Sequence, residues 1–156
     1  MFICSGWRRL RYFDLDEYQI DGRSRCLAYI EKLGDQWKVI YDLKPTADRF
    51  DLCVAGYYID FSLEQGCVSL RSYMKVLGES MQLPEVGKWT RFELSHEFDE
   101  TAGNYILSLS IGGVEVLKAE DEYNLHDKPD VARIYDPNEA GEISGFIRRM
   151  IVLEKS

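Results

Sequence analysis

Three oxygen-bearing side chains stand close together near the C-terminal end of the sequence. They are Asp136, Asn138 and Glu139, within the stretch Asp-Pro-Asn-Glu. Carboxylate and amide oxygens are the ligands that Ca²⁺ takes in proteins, and a full site needs roughly six to eight of them. The sequence therefore gives a candidate calcium site at this stretch. Its alternative is an Asp-Pro-Asn turn that forms for backbone reasons alone.

Arginine side chains group at the two ends of the chain, as Arg8, Arg9, Arg11, Arg148 and Arg149. If the first and last strands lie side by side, these groups share one edge and can bind a sulfate or phosphate bidentately. Strand alternation places Arg9 and Arg11 on one face and separates Arg148 from Arg149. We therefore predict an anion site formed by Arg9, Arg11 and Arg148. The alternative is a set of weak surface ion pairs with carboxylates, namely Asp14, Asp16 or Glu154.

Aromatic residues offer a second kind of binding surface. The 10 tyrosines and 3 tryptophans are more than a core strictly requires. An exposed ring can stack on the face of a sugar through apolar contact. We predict that Tyr123 and Tyr135, at loop or strand-end positions, are the exposed rings. For Trp37 and Trp89 we predict core packing or strand pairing.

β-Strands must position these residues, because strict alternation of apolar and polar residues dominates the sequence. WTRFELSHEF alternates as a half-buried antiparallel strand does. NYILSLSI follows after a loop in which Gly103 and Asn104 supply positive φ, and Gly112-Gly113 suits a two-residue hairpin turn before VEVLKAE. Similar strands recur about every 10 to 15 residues. We therefore predict one all-β domain over residues 1–156.

Charge and composition exclude several classes of protein. Nineteen basic and 27 acidic residues give a formal charge of −8, which argues against a nucleic-acid partner. No window of 18 apolar residues occurs, so no membrane-spanning helix is predicted. Two histidines and the lack of a Cys-x-x-Cys pair give no support for a zinc site.

The compartment depends on the cysteines, which are Cys4, Cys26, Cys53 and Cys67. An even number is compatible with two disulfides in any of the three pairings, and equally with four reduced thiols. The opening residues MFICSGWRRLRY lack the long apolar run of a secretory signal. We expect an extracellular or secreted domain that is part of a larger chain, and a cytoplasmic one if the cysteines are reduced.

The order of these elements resembles the concanavalin A-like jelly-roll sandwich of lectins and glucanases, with laminin G-like and pentraxin-like modules nearest. The resemblance covers roughly residues 35–154. It is seen in WKVIYDLKPT, Gly87-x-Trp89, Gly112-Gly113 and Gly145-Phe146-Ile147. It implies two antiparallel sheets in which the terminal strands are neighbours. It also implies recognition of sulfated or acidic glycans, which laminin G-like modules bind.

Catalysis is not predicted. For a glucanase, the resemblance implies a strand with the pattern Glu-x-Asp followed by a second glutamate, because two carboxylates must flank the scissile bond. Glu97-Phe98-Asp99 begins this pattern, but Thr101 and Ala102 occupy the positions of the second glutamate. No Gly-x-Ser-x-Gly elbow or phosphate loop occurs. His96, at an apolar position of its strand, is predicted to be a core-edge residue and not a base.

Two function classes remain open. The first is a non-catalytic extracellular recognition module that binds a glycan or a protein ligand, with calcium as its one candidate cofactor. The second is a structural or assembly domain whose strand edges pair with a second copy or with neighbouring domains. A stable homo-oligomer at low protein concentration would favour the second class.

Overall fold

A computed structural model of the chain is a sandwich of two six-stranded antiparallel sheets. The structure describes residues 6–20, 25–30, 33–46, 49–62, 65–72, 75–121, 130–135 and 145–155. For Leu10 and for residues 16–20, 25–30, 49–50 and 130–135 it describes the backbone alone. None of the described residues belongs to a helix long and apolar enough to cross a membrane.

The first sheet, called sheet A, contains both ends of the described chain. Its strands are β1 (Trp7–Ile20), β3 (Trp37–Pro45), β8 (Thr90–Asp99), β9 (Asn104–Ile111), β10 (Val114–Asp121) and β12 (Gly145–Lys155). Their order is β1-β12-β3-β8-β9-β10. The first and last strands are therefore neighbours, as the resemblance implied.

The second sheet, called sheet B, contains four consecutive strands that are joined by hairpins. Its strands are β2 (Arg25–Ile30), β4 (Arg49–Val54), β5 (Tyr57–Ser62), β6 (Cys67–Ser72), β7 (Val76–Ser80) and β11 (Asp130–Tyr135). Their order is β2-β11-β4-β5-β6-β7. Together the two sheets confirm the predicted all-β, two-sheet antiparallel sandwich.

The predicted meander of three strands is confirmed as β8, β9 and β10 in sheet A. The turn between β9 and β10 has φ angles of 63° at Gly112 and 84° at Gly113. Both values lie in the left-handed region, which residues with a Cβ atom adopt at an energetic cost. Gly103 has a φ of 73°, whereas Asn104 already begins β9.

The core lies between the inner faces of the two sheets. Alternate residues of each strand point into it, so that β5 and β6 show the regular burial pattern of half-buried strands. Its largest fully buried side chains include Trp37, Tyr41, Tyr57 and Phe92. The prediction of core packing is therefore confirmed for Trp37.

His96 is buried in an aromatic cluster at one end of this core. Its ring stacks on Trp37 with a centroid distance of 5.2 Å and on Tyr105 at 4.9 Å. Its Nδ1 atom lies 2.8 Å from the carbonyl oxygen of Asp35. Tyr57 donates a 2.8 Å hydrogen bond to the buried carboxylate of Asp121 in the same region. His96 is thus the core residue that its strand position predicted.

The burial of His96 makes the stability of the fold depend on pH. Burial disfavours the imidazolium form and so lowers the pKa of His96 below its ordinary value of about 6.5. Below that pH the unfolded chain binds a proton that the folded chain does not, so the free energy of unfolding falls as the pH falls towards the lowered pKa. We expect a slope of up to about 1.4 kcal/mol per pH unit.

Urea unfolding between pH 7.5 and pH 5.5, on the protein and on a His96→Phe variant, measures this effect. The phenylalanine ring keeps the stacking and removes the titrating group. We expect the wild-type protein to lose stability across this range and the variant to lose clearly less. Parallel curves for the two proteins would contradict the assignment.

One of the cysteines that the structure describes is a free thiol, which limits the disulfides that the chain can form. Cys67 is a free, partly exposed thiol at the start of β6, and Cys53 is buried in β4. Two bridges would require all four cysteines, so at most one intrachain disulfide is compatible with this structure. Cys4 lies outside the described residues, as does the side chain of Cys26.

Candidate ligand-binding site

The three arginines of the predicted anion site do not come together. Arg9 pairs in register with Leu153, which faces outwards from sheet A, whereas Arg11 pairs with the core residue Val152. A register shift between the two arginines turns their side chains to opposite faces. Arg148 is also remote from Arg9. It lies about 16 Å along β12 from Leu153, the register partner of Arg9, at about 3.3 Å per residue. The predicted common face for Arg9 and Arg11 is wrong because of this bulge.

Surface ion pairs and ring contacts account for several of these arginines. Arg8 forms an ion pair of 3.1 Å with Glu154, as the alternative prediction proposed. The guanidinium carbon of Arg9 lies 5.7 Å from the ring centroid of Tyr12, and that of Arg11 lies 5.3 Å from the ring of Phe13. The N-terminal arginines are therefore dispersed over the surface.

The remaining predicted site residues stay predictions. Asp136, Asn138, Glu139 and Tyr123 lie outside the described residues. Tyr135 ends β11, a strand for which the backbone alone is described. Within the described part of the chain, no group of three His, Cys, Asp or Glu side chains is placed to hold a metal ion.

The structure instead forms a shallow polar depression on the outer face of sheet B. It has a volume of about 280 Å³ and lies across the central strands β4, β5 and β6. The residues that line it are Asp51, Asp60, Phe61, Ser62, Gln65, Cys67, Ser69 and Arg71. Strand register explains the convergence, because Asp51, Asp60 and Ser69 lie side by side across three neighbouring strands.

Asp60 and Arg71 form the rigid centre of this depression. The Nε atom of Arg71 donates a 2.7 Å hydrogen bond to one carboxylate oxygen of Asp60, and Nη2 donates a 3.4 Å bond to the other. The guanidinium carbon also lies 4.1 Å from the ring centroid of Tyr58. This hydrogen bonding raises the pKa of Arg71, so the guanidinium stays charged. Both partners are partly exposed, so they retain atoms that face the solvent.

The β5–β6 turn closes one end of the depression. Gly66 adopts a φ of 72° and donates a 3.1 Å hydrogen bond to the carbonyl oxygen of Ser62. The backbone N–H of Gln65 donates to the hydroxyl oxygen of Ser62 at 3.2 Å. The turn is therefore tied to the end of β5, and Gln65 is held beside the polar floor.

The depression combines hydrogen-bond acceptors and donors at fixed positions, and the ring of Tyr58 supports Arg71 beside it. Carboxylate oxygens accept hydrogen bonds, the guanidinium donates them, and the serine hydroxyls do both. Such a set suits a ligand that is rich in hydroxyl groups. Sequence reasoning missed this site, although the alternation in YYIDFS and CVSLRS already separates the outward residues from the core residues.

A second depression, of about 330 Å³, lies on the outer face of sheet A near Glu97 and Asp99. Its carboxylates have structural partners. One oxygen of Asp99 accepts hydrogen bonds from the backbone N–H groups of Thr101 and Ala102, and Glu97 lies 3.5 Å from the ammonium group of Lys155. Asp99 therefore stabilises the turn that follows β8.

Three solved structures share this architecture. The galectin LEC-6 of Caenorhabditis elegans is 14% identical, with a TM-score of 0.60 over 90% of this chain and 94% of that one. The potassium-bound carbohydrate recognition domain of Emp46p is 11% identical, with a TM-score of 0.64 over 97% and 89%. The β-fructofuranosidase of Schwanniomyces occidentalis is 10% identical, with a TM-score of 0.66 over 97% of this chain but 34% of the enzyme.

The fold is a concanavalin A-like jelly roll. The concanavalin A-like prediction is thus confirmed at the level of the fold, which is what likeness at these identities establishes. No protein-family model matches the sequence, and neither does any curated protein. The nearer resemblance to laminin G-like modules stays a prediction.

Two of these concanavalin A-like neighbours are carbohydrate-recognition proteins by name, a galectin and a carbohydrate recognition domain. The third is an enzyme, and this chain matches only about a third of it. The Emp46p domain is known in metal-free and potassium-bound forms.

Proposed function

We propose that this domain is a non-catalytic module that binds neutral glycans in the depression on sheet B. The observation that supports this most directly is the Asp60–Arg71 pair, held bidentately beside Tyr58 in a shallow polar site. Such a pair presents fixed acceptors and donors to neighbouring hydroxyl groups of a sugar, and the open site admits a saccharide that extends beyond it.

The charge of the depression favours neutral over acidic saccharides. Asp51 and Asp60 contribute two negative charges, and Arg71 contributes one positive charge. Because acidic side chains outnumber the one basic side chain among the lining residues, a sulfate or carboxylate group on a sugar is less favoured there than a hydroxyl group. The neutral ligand departs from the sulfated or acidic glycan that the laminin G-like resemblance implied.

The structural comparisons support the same function class. The galectin and the Emp46p domain share the jelly-roll fold with this chain and are carbohydrate-recognition proteins by name. Fold alone does not determine function, so the proposal depends on the geometry of the site. Location outside the cell stays a prediction, which the redox state of the native cysteines tests. Self-association also stays a prediction, which sedimentation at micromolar concentration tests. The calcium site also stays a prediction, tested by unfolding in calcium and in EDTA.

A double substitution tests the proposed site. Asp60→Asn with Arg71→Gln removes both charges together, so no unpaired charge is left behind. We expect the wild-type protein to bind one or more members of a panel of neutral oligosaccharides. We expect the double variant to bind the same sugars about a hundredfold more weakly, because charge-assisted hydrogen bonds are lost. Calorimetric titration measures both affinities.

The matched control is the double variant Glu97→Gln with Lys155→Gln. It removes an ion pair of 3.5 Å from sheet A and leaves the net charge unchanged, as the test variant does. This control should bind as the wild-type protein does, and both variants should unfold near the wild-type urea concentration. Failure of every neutral saccharide to bind, or equal binding by the Asp60/Arg71 variant, would overturn the proposal.

A further inference from the structure

A group of cations and aromatic rings lies on the outer face of sheet A, opposite the proposed glycan site. We call it the Trp89 cluster, and its members are Lys44, Trp89, Arg91, Phe146, Arg148 and Arg149. The guanidinium carbon of Arg148 lies 4.3 Å from the ring centroid of Trp89. The ammonium nitrogen of Lys44 lies 5.2 Å from the same ring and 4.9 Å from that of Phe146. Two long side chains, Arg148 and Lys44, are thus ordered at the surface by ring contacts.

A β-bulge in β12 brings two of these arginines together. Ile147 pairs with Leu43 and Arg149 pairs with Asp42, so Arg148 is the extra residue of the bulged strand. Both guanidinium groups approach the same carboxylate. Nε of Arg149 lies 2.6 Å and Nη2 of Arg148 lies 3.8 Å from one oxygen of Asp42. Without the bulge, alternation would send the two side chains to opposite faces.

The Trp89 cluster has an excess of positive charge on an acidic protein. Its four cations are Lys44, Arg91, Arg148 and Arg149, whereas the carboxylates paired with it in register are Asp42 and Asp14. Glu93, the next outward residue of β8 after Arg91, adds a third carboxylate. The local balance is therefore +1, on a chain with a net charge of −8. The side chains of Arg148 and Arg149 are 39% and 37% exposed, so both present donors to the solvent.

We propose that the Trp89 cluster is a docking surface for an acidic segment of a protein partner. Arginine binds carboxylates through paired donors, and Asp42 already occupies part of this donor set in the folded chain. Arg149 and Arg91 flank Asp42 on the two neighbouring strands, so their backbones are about 10 Å apart. Carboxylates three residues apart in a polyproline II segment lie on one side of it and span about 9 Å, which is close to this distance.

The ring contacts favour a protein segment over an acidic saccharide. An acidic saccharide that binds by stacking needs an accessible aromatic face. At Trp89 the ring is the support for Arg148 and Lys44, and Lys44 also lies against Phe146. The surface therefore offers ordered positive charge without a sugar platform. The acidic side chains of a protein segment require only the positive charge and the hydrogen-bond donors of this surface.

Binding of a labelled hexaglutamate peptide, followed by fluorescence anisotropy at low ionic strength, tests this proposal. We expect binding that weakens as salt is added, because the charges are exposed to solvent. We expect Arg91→Gln and Arg148→Gln each to weaken it about tenfold. The matched control is Lys118→Gln, which removes one exposed positive charge from β10 in the same sheet and should bind as the wild-type protein does.

Two further outcomes make the test decisive. The Asp60→Asn/Arg71→Gln variant should bind the peptide normally, so failure of the glycan proposal leaves this one intact. Arg91 is exposed, so Arg91→Gln keeps the test valid if Arg148→Gln proves unstable. The proposal is overturned if the peptide does not bind at low salt, or if all three single variants bind alike. It is also overturned if a heparin-derived hexasaccharide binds the cluster more tightly than the peptide does.

Discussion

Replacement of Trp37 by alanine is expected to lower the free energy of unfolding by about 3 to 5 kcal/mol. Trp37 is fully buried, and its ring stacks on His96 and contacts Tyr57 at a centroid distance of 6.3 Å. Alanine would leave a large cavity between the two sheets. Because domains of this size are stable by only about 5 to 15 kcal/mol, this loss is a large fraction of the total. Urea unfolding followed by circular dichroism measures it.

Trp7→Ala is the matched control for this substitution. Trp7 is half-buried on the outer face of sheet A, where it packs against Ile40, Ile151 and Leu153. We expect this variant to lose less than half of what Trp37→Ala loses, since its ring is already partly in water. Equal losses in the two variants would show that Trp37 is not the centre of the core.

Gly145→Ala is expected to destabilise the fold by about 2 kcal/mol, although it adds only a methyl group. A Cβ atom at Gly145 would lie 2.8 Å from the carbonyl oxygen of Lys44 and 3.3 Å from the Cα atom of Pro45. Both are backbone atoms of β3, so they cannot move aside without distorting the pairing of β12 with β3. The midpoint of urea unfolding is the measurement.

Gly34→Ala provides the comparison for Gly145. A Cβ atom there would meet only the carboxylate end of Glu154, at 3.2 Å, and this flexible side chain can move. Replacing glycine by alanine also restricts the unfolded chain, which by itself stabilises a protein by about 0.4 to 1 kcal/mol. The control should therefore unfold at the wild-type urea concentration or slightly above it. A Gly145→Ala variant that does the same would contradict the predicted clash.

The sandwich itself could be predicted from sequence because its signal is local. Each signal lies within a stretch of about ten residues. The signals are the alternation within β8 and within β9, and the two glycines that join β9 to β10. The same parity that places Phe92 in the core places Trp89 and Arg91 on the outer face. Trp89 is half-buried there, under Arg148, so of the two predicted alternatives, core packing and strand pairing, core packing does not apply to this ring.

The two proposed binding sites could not be predicted from the sequence, because they depend on pairing between strands and on bulges. Arg9 and Arg11 have the right parity for one face, but the extra residue between them reverses it. Arg148 and Arg149 have the wrong parity, and the bulge in β12 brings them together. Asp51, Asp60 and Arg71 become neighbours only when β4, β5 and β6 pair in one particular register.

The strand order of sheet A also has a consequence for how the chain reaches this structure. β12 follows the other described strands in the chain, yet it lies between β1 and β3, which are synthesised well before it. Until it is synthesised, β3 has an unpaired edge and β1 has no partner in the sheet. Closing this gap brings together residues nearly 150 positions apart, as the pairing of Trp7 with Lys155 shows. Contacts between residues so distant in sequence form slowly. While they form, the unpaired edge of β3 can pair with other chains and cause aggregation.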